Sequence, residues 1–164
     1  GSAAITRLRL LEPPEDVPDD ARFGAALAPT VAADGSVALA VGAPGFDGAD
    51  LEGAVYVFSL VDLYDNNEAT LLETIRPTVT ATNSLFGAAL ARGPDWDGNG
   101  APELLVGAPG EADGGAFYTL FRGTDQRTRV GAADVPGLTP AAGPHLGQAL
   151  ALLGTLAGDV VPDV

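Results

Sequence analysis

The chain of 164 residues carries 22 acidic against 8 basic residues, a formal charge of −14, and has no cysteine. Those counts exclude a disulfide framework, thiol chemistry and a cysteine zinc site. A surface this acidic repels phosphate backbones and anionic lipid, so nucleic acid is not expected as a partner, whereas divalent cations are attracted. With 46% hydrophobic and 18% charged residues the composition is globular, and no apolar run is long enough to cross a bilayer, so membrane insertion is not expected. Gly1-Ser2 with no Met reads as the remnant of a cleaved tag, and the lack of a signal peptide here is therefore uninformative.

Residues 5–11 (ITRLRLL) alternate imperfectly between apolar and polar and read as an exposed strand. Residues 12–20 (EPPEDVPDD) read as a loop, because proline cannot donate to a ladder and the acids repel one another. A short apolar run, Phe23-Gly24-Ala25-Ala26-Leu27-Ala28, is taken as a strand, followed by a turn at Asp34-Gly35. Residues 37–41 are continuously apolar and of strand length, and Gly42-Ala43-Pro44 stops them. After a Gly/Asp-rich loop, residues 54–58 (AVYVF) are β-branched and aromatic, a strand signal. Asp65-Asn66-Asn67 turns the chain into a fourth strand over residues 69–75.

The order then restarts. Phe86-Gly87-Ala88-Ala89-Leu90-Ala91 repeats residues 23–28 at an offset of 63. Gly107-Ala108-Pro109 repeats Gly42-Ala43-Pro44 at an offset of 65, and Gly115-Ala116-Phe117-Tyr118 answers Gly53-Ala54-Val55-Tyr56 at 62. The offsets drift because loops change length while strands do not. A third start, Leu146-Gly147-Gln148-Ala149-Leu150-Ala151, follows, and residue 164 falls where the second copy continues into its next strand. The expected organisation over 1–164 is an outer strand at 5–11, a first repeat at 22–76, a second at 85–130 and a truncated third at 146–164.

Four short antiparallel strands per repeat of about sixty residues make the blade of a β-propeller, which cannot bury both faces without neighbours. The predicted fold is all-β, a partial propeller of about two and a half blades. Small residues at FGAAL suit the innermost strand, and Phe23 and Phe86 are expected to fill the gaps between blades. The FG…GAP pairing, with a DxDxNG-type loop between and a GxxYV strand after, resembles the FG-GAP repeat of integrin α-subunit propellers. In that family the N-terminal strand closes the ring as an outer strand, the place residues 5–11 would take. The resemblance implies an extracellular or cell-surface adhesion module that binds a protein ligand and is not an enzyme. Such propellers also occur as accessory domains of secreted or surface hydrolases, in which case the chemistry would lie outside this chain.

Residues 95–103 (DWDGNGAPE) carry the chemistry. Asp95, Asp97, Asn99 and Glu103 fall at positions 1, 3, 5 and 9 of a loop, with Gly100 at position 6. Acid and amide oxygens at alternate positions converge if the backbone curls, and glycine permits the positive φ that the curl needs. The Ala101 carbonyl at position 7 then faces inward. An EF-hand is ruled out, since Val106 stands where its position-12 acid is required and a strand follows. The bland alternative is an Asp/Gly/Asn turn capping a hairpin. The family places calcium in this loop, which implies Asp95, Asp97, Asn99, Ala101 (backbone) and Glu103 as ligands; Glu103 departs from the family's usual Asp. In the first repeat Asp34 alone occupies the equivalent loop. In the third, Asp159 and Asp163 make at best a weak second metal site and read first as a turn.

Elsewhere His145, the sole histidine, lies at a strand start and reads as structural. Tyr56 and Tyr118 recur at equivalent strand positions and read as blade packing. No nucleophile elbow, phosphate loop followed by lysine, or zinc-protease helix is present. Open blade edges predict self-association.

Overall fold

In the computed structural model, residues 11–46, 52–61, 70–78, 82–124, 126–138 and 145–152 are described. The most apolar segments of each repeat form the centres of two sheets. The first holds β1 (Ala26–Val31), β2 (Val37–Ala43), β3 (Ala54–Ser59) and β4 (Leu71–Ile75), in sequence order. The second holds β5 (Leu90–Arg92), β6 (Leu104–Ala108), β7 (Ala116–Leu120) and β8 (Arg127–Gly131). All pairings are antiparallel, with Val41 opposite Tyr56 in one sheet and Val106 opposite Tyr118 in the other. The architecture is all-β, two four-stranded blades of a partial β-propeller. Residues 5–10 of the expected strand lie outside the described residues, and Leu11 is in no strand; the third repeat beyond residue 152 also lies outside them.

The strands divide by burial. β3 and β6 are buried along their whole length, whereas β4 and β8 are largely exposed, β8 through Arg127, Thr128 and Arg129 and β4 through Leu71, Leu72 and Thr74. Pro29 is tolerated in β1 because that strand pairs on one side only, with β2.

The FG segments are not strands, contrary to expectation. Gly24, Gly87 and Gly147 have φ of 87°, 90° and 86°, and the residue two places earlier (Arg22, Leu85, His145) is also left-handed. Two positive-φ residues so close together cannot propagate an extended strand. Each FG is therefore a turn, and β1 and β5 begin only after it.

These turns join the blades. The Phe86 N–H donates to the Glu52 carbonyl (3.1 Å), and a parallel bridge links Gly53 to Phe86. The same joint recurs one blade on, where the Leu146 N–H donates to Gly114 (2.9 Å) and Gly115 bridges to Leu146. A Cβ on Gly42 would collide with the Gly87 carbonyl, and one on Gly107 with the Gly147 carbonyl. The glycine of each GAP thus admits the glycine of the next FG, so the two recurring motifs meet across a seam.

Between the blades lies one core. Blade one contributes small and β-branched side chains (Ala28, Ala38, Ala40, Val55, Val57, Ile75), and blade two adds all the leucines and aromatics (Phe86, Leu90, Leu104, Tyr118, Leu120) beside its own Val106, Ala108 and Ala116. Small against large lets the sheets approach and interlock. Phe86 is fully buried there, edge-on to Tyr118 at 5.3 Å. Phe23 lies elsewhere, on the other face of its own blade. It packs on Tyr56 and Phe58, at 5.9 and 6.0 Å, on the opposite face of blade one, where Leu11 and Val17 of the acidic loop join it.

Candidate metal centre

The loop between β5 and β6 is closed at its mouth by two backbone hydrogen bonds. Gly93 N–H donates to the Glu103 carbonyl (2.7 Å), and Glu103 N–H donates to Pro94 (3.0 Å). Inside, the chain winds around Asp95. Its Oδ1 accepts from Gly98 N–H (2.8 Å) and Asn99 N–H (3.1 Å), and its Oδ2 from Gly100 N–H (2.8 Å). Gly98 and Gly100 take φ of 75° and 88°, which supplies the curl. Asp97 Oδ1 accepts from Asn99 N–H at 3.0 Å.

Glu103 reaches the same point from the base of β6. It is fully buried. Its Oε2 accepts from the Trp96 N–H at 2.8 Å, and its Oε1 is buried with no hydrogen-bond partner. Carboxylate oxygens of Asp95, Asp97 and Glu103 all lie within 4.8 Å of one another. Like charges at that distance repel by about 1 kcal/mol per pair in bulk water and severalfold more near a protein surface. A buried carboxylate oxygen lacking any donor is costly. A hard cation would answer both, and an all-oxygen donor set is what Ca²⁺ and Mg²⁺ select. The residues fit such an ion. The chain leaves the loop as strand β6, not as an EF-hand's helix.

Of the five residues named from sequence, the three carboxylates converge. Asn99 is engaged differently: its Oδ1 accepts from Ala101 N–H (2.7 Å), and its Nδ2 donates to Asp97 Oδ2 (3.0 Å) and to the Arg122 carbonyl (2.9 Å). Ala101 is half-buried beside it. Asp159 and Asp163 lie outside the described residues. In blade one Asp34 accepts from the Ser36 backbone N–H at 2.9 Å. Hydrogen bonds from Ser36, first from its side chain and then from its backbone, hold that carboxyl below its usual range. The position of Glu103 is taken there by Ala38.

Two groups escaped the sequence reading. Arg122 follows β7 and is buried; its Nε donates to the Val31 carbonyl (3.1 Å), and its Nη2 pairs with Glu73 Oε2 (2.8 Å). Together with Asn99 it ties the carboxylate loop to blade one. A cavity of about 370 Å³ opens beside it, lined by Asp34, Asn99, Gly100, Arg122 and Thr124 among others. The second group is Glu111, buried just past the second GAP. It accepts from the Tyr118 hydroxyl on one oxygen and from Arg129 Nε, at 2.8 Å, on the other. The signal for both was an unexplained charge at a strand end in an otherwise apolar repeat. His145 is exposed at the third FG turn, and Trp96 is half-buried with its ring against Gly93.

No protein-family model matches the chain. Over 94 residues, 55% of its length, it is 42% identical to integrin alpha-PS5 of Drosophila melanogaster. That stretch is 9% of the relative, so the chain spans a small part of the protein it resembles. The likeness supports an integrin-like relationship for that part of the chain.

Proposed function

We propose that this chain is a calcium-binding segment of an integrin-like propeller, a non-catalytic extracellular or cell-surface scaffold that presents loops to a protein ligand. The observation that carries the metal part is the orphaned, buried Glu103 Oε1 beside two exposed carboxylates. Asp95, Asp97 and Glu103 would hold the ion, with Asn99 and the Ala101 carbonyl completing the set after Asn99 releases Ala101 N–H. The ion would neutralise the cluster and stiffen the β5–β6 hairpin; it would do no chemistry on a substrate. The adhesion part rests on the likeness to an integrin α-subunit. The division into an outer strand and three repeats belongs to the same reading.

The test is calcium titration followed by both calorimetry and thermal melting. Calcium at a hundred times its Kd should stabilise the wild type by about 2.7 kcal/mol. Asp97→Ala should bind weakly and lose that increment. If chelator leaves the melting temperature unchanged and Asp97→Ala binds as wild type does, the metal role is wrong.

A further inference from the structure

Asn99 is followed by Gly100 in an exposed turn. In that dipeptide the backbone nitrogen of the second residue can reach the side-chain amide carbon of the first, because glycine has no Cβ to obstruct the approach. A Cβ on Gly100 would meet nothing within 4 Å, so the space around it is open. The loop adds groups in the places that this reaction uses. Gly100 N–H, the attacking group, donates to Asp95 Oδ2 at 2.8 Å, so an acceptor for its proton is in place. Asn99 Oδ1, where negative charge grows during attack, accepts from Ala101 N–H at 2.7 Å. That bond also folds the side chain back along the chain towards the Gly100 peptide. Asn99 Nδ2, the leaving nitrogen, donates to Asp97 Oδ2 at 3.0 Å, and the carboxylate favours the positive charge this nitrogen gains on departure. Both residues line the cavity beside Arg122, which is roomy enough to admit water. Asn83 has no such setting: it precedes Ser84, which is buried and donates its hydroxyl to the Glu52 carbonyl.

We propose that Asn99 is a self-modification site, converted by its own loop to aspartate or isoaspartate. The Gly100 nitrogen forms a bond to Asn99 Cγ, and its proton passes by way of Asp95 to Nδ2. The Cγ–Nδ2 bond breaks and ammonia leaves, giving a cyclic imide. Water then adds to one of the two imide carbonyl carbons and opens the ring, as aspartate through one and isoaspartate through the other. Water enters and ammonia departs; nothing is oxidised or reduced. The change replaces two donated hydrogen bonds, to Asp97 Oδ2 and to the Arg122 carbonyl, with a negative charge facing both. It therefore loosens the tie between this loop and blade one, and it adds an acid beside Asp95, Asp97 and Glu103. On the metal reading proposed above, the loop's draw on a cation grows with it; the modification itself needs no metal.

The test is to incubate the whole chain at neutral pH, folded and in urea, and then to cleave it after arginine. Chelator is present throughout, so the outcome is separate from that of the metal reading. Cleavage at Arg92 and Arg122 releases residues 93–122, in which Asn99 is the sole side-chain amide, so loss of ammonia read by mass reports that residue alone. The folded chain should lose the amide about tenfold faster than the chain in urea. Asp95→Ala, checked for folding by circular dichroism, should abolish that advantage. Asn99→Gln, whose longer side chain disfavours the ring, should keep its amide in both states. If Asp95→Ala does not fold, the folded and urea rates of the wild type decide. Loss no faster in the folded chain than in urea overturns the proposal. So does an advantage that folded Asp95→Ala retains in full, or loss from Asn99→Gln at the wild-type rate.

Discussion

The two blades have the same strand order, the same joint glycines and the same buried tyrosine, yet they carry charge in opposite ways. In blade one the β1–β2 turn holds a single exposed carboxylate, Asp34, and Ala38 is the second residue of the strand behind it. In blade two the corresponding loop holds Asp95 and Asp97, and a buried Glu103 stands at the alanine's position. The tyrosines differ similarly. Tyr118 hands its proton donor to Glu111, which Arg129 also engages; Tyr56 has Phe46 at the position of Glu111 and its hydroxyl has no partner. The backbone scaffold is therefore indifferent to whether a blade is apolar or ionic at these points. What it cannot vary is the glycine-to-glycine seam.

The most damaging change should accordingly be at the seam and not at a charge. Gly42→Ala places a methyl against the Gly87 carbonyl, backbone against backbone, and should cost about 3 kcal/mol in urea unfolding, the upper range for overpacking. Gly24→Ala, with open space but φ of 87°, should cost only about 1 kcal/mol. Equal costs would mean that conformation, not the seam, sets the requirement for glycine.

Next comes the buried ionic group. Glu111→Ala strands the Tyr118 hydroxyl and frees Arg129, and should lower stability by about 2 kcal/mol. Tyr118→Phe should cost about 1 kcal/mol, whereas Tyr56→Phe removes an unsatisfied hydroxyl and should be neutral or stabilising. Matching losses at the two tyrosines would erase the contrast between the blades.

Glu103→Gln gives a smaller effect whose sign depends on conditions. In chelator it removes a buried charge that has one unpaired oxygen, and it should stabilise by about 1 kcal/mol. In excess calcium it should be the less stable protein, read by the difference in melting temperature.

The last comparison is with pH. Burial pushes the Tyr56 hydroxyl up to about 12, with the charge of Asp16 adding and Arg76 opposing. Burial also raises Tyr118, followed by its hydrogen bond to Glu111 and that carboxylate's charge. In the unfolded chain both ionise near 10, so the folded state holds more protons above that pH. Their contributions are complete below about pH 10 and are lost as pH rises above it, that of Tyr56 through about 12. Urea midpoints should therefore fall across that window, and less steeply in Tyr118→Phe.

The repeat was legible because strands conserve length and offsets of 62 to 65 survive loop changes. The blades followed from that alone. The FG turns were misread as strands because Phe-Gly-Ala-Ala-Leu is apolar throughout, and apolarity says nothing of the sign of φ. Arg22, Leu85 and His145 share no chemistry, so their common left-handed backbone had no residue signature. The carboxylates were legible from local spacing, since Asp95, Asp97 and Glu103 lie within one hairpin. Asn99's attachment to Arg122 was not, because it crosses 23 residues and joins two turns. The same holds for Glu111, whose partners lie 7 and 18 residues on, and whose place in the first repeat is held by Phe46.

Trp96 is the chain's one tryptophan, and its backbone N–H rests on Glu103 while its ring lies against Gly93. The chief fluorophore is thus built into the carboxylate loop, and tyrosines buried one to each blade provide dimmer beacons elsewhere. Excitation at the red edge selects the indole, so its emission reads the state of a single hairpin, unlabelled, in a molecule otherwise silent at that wavelength.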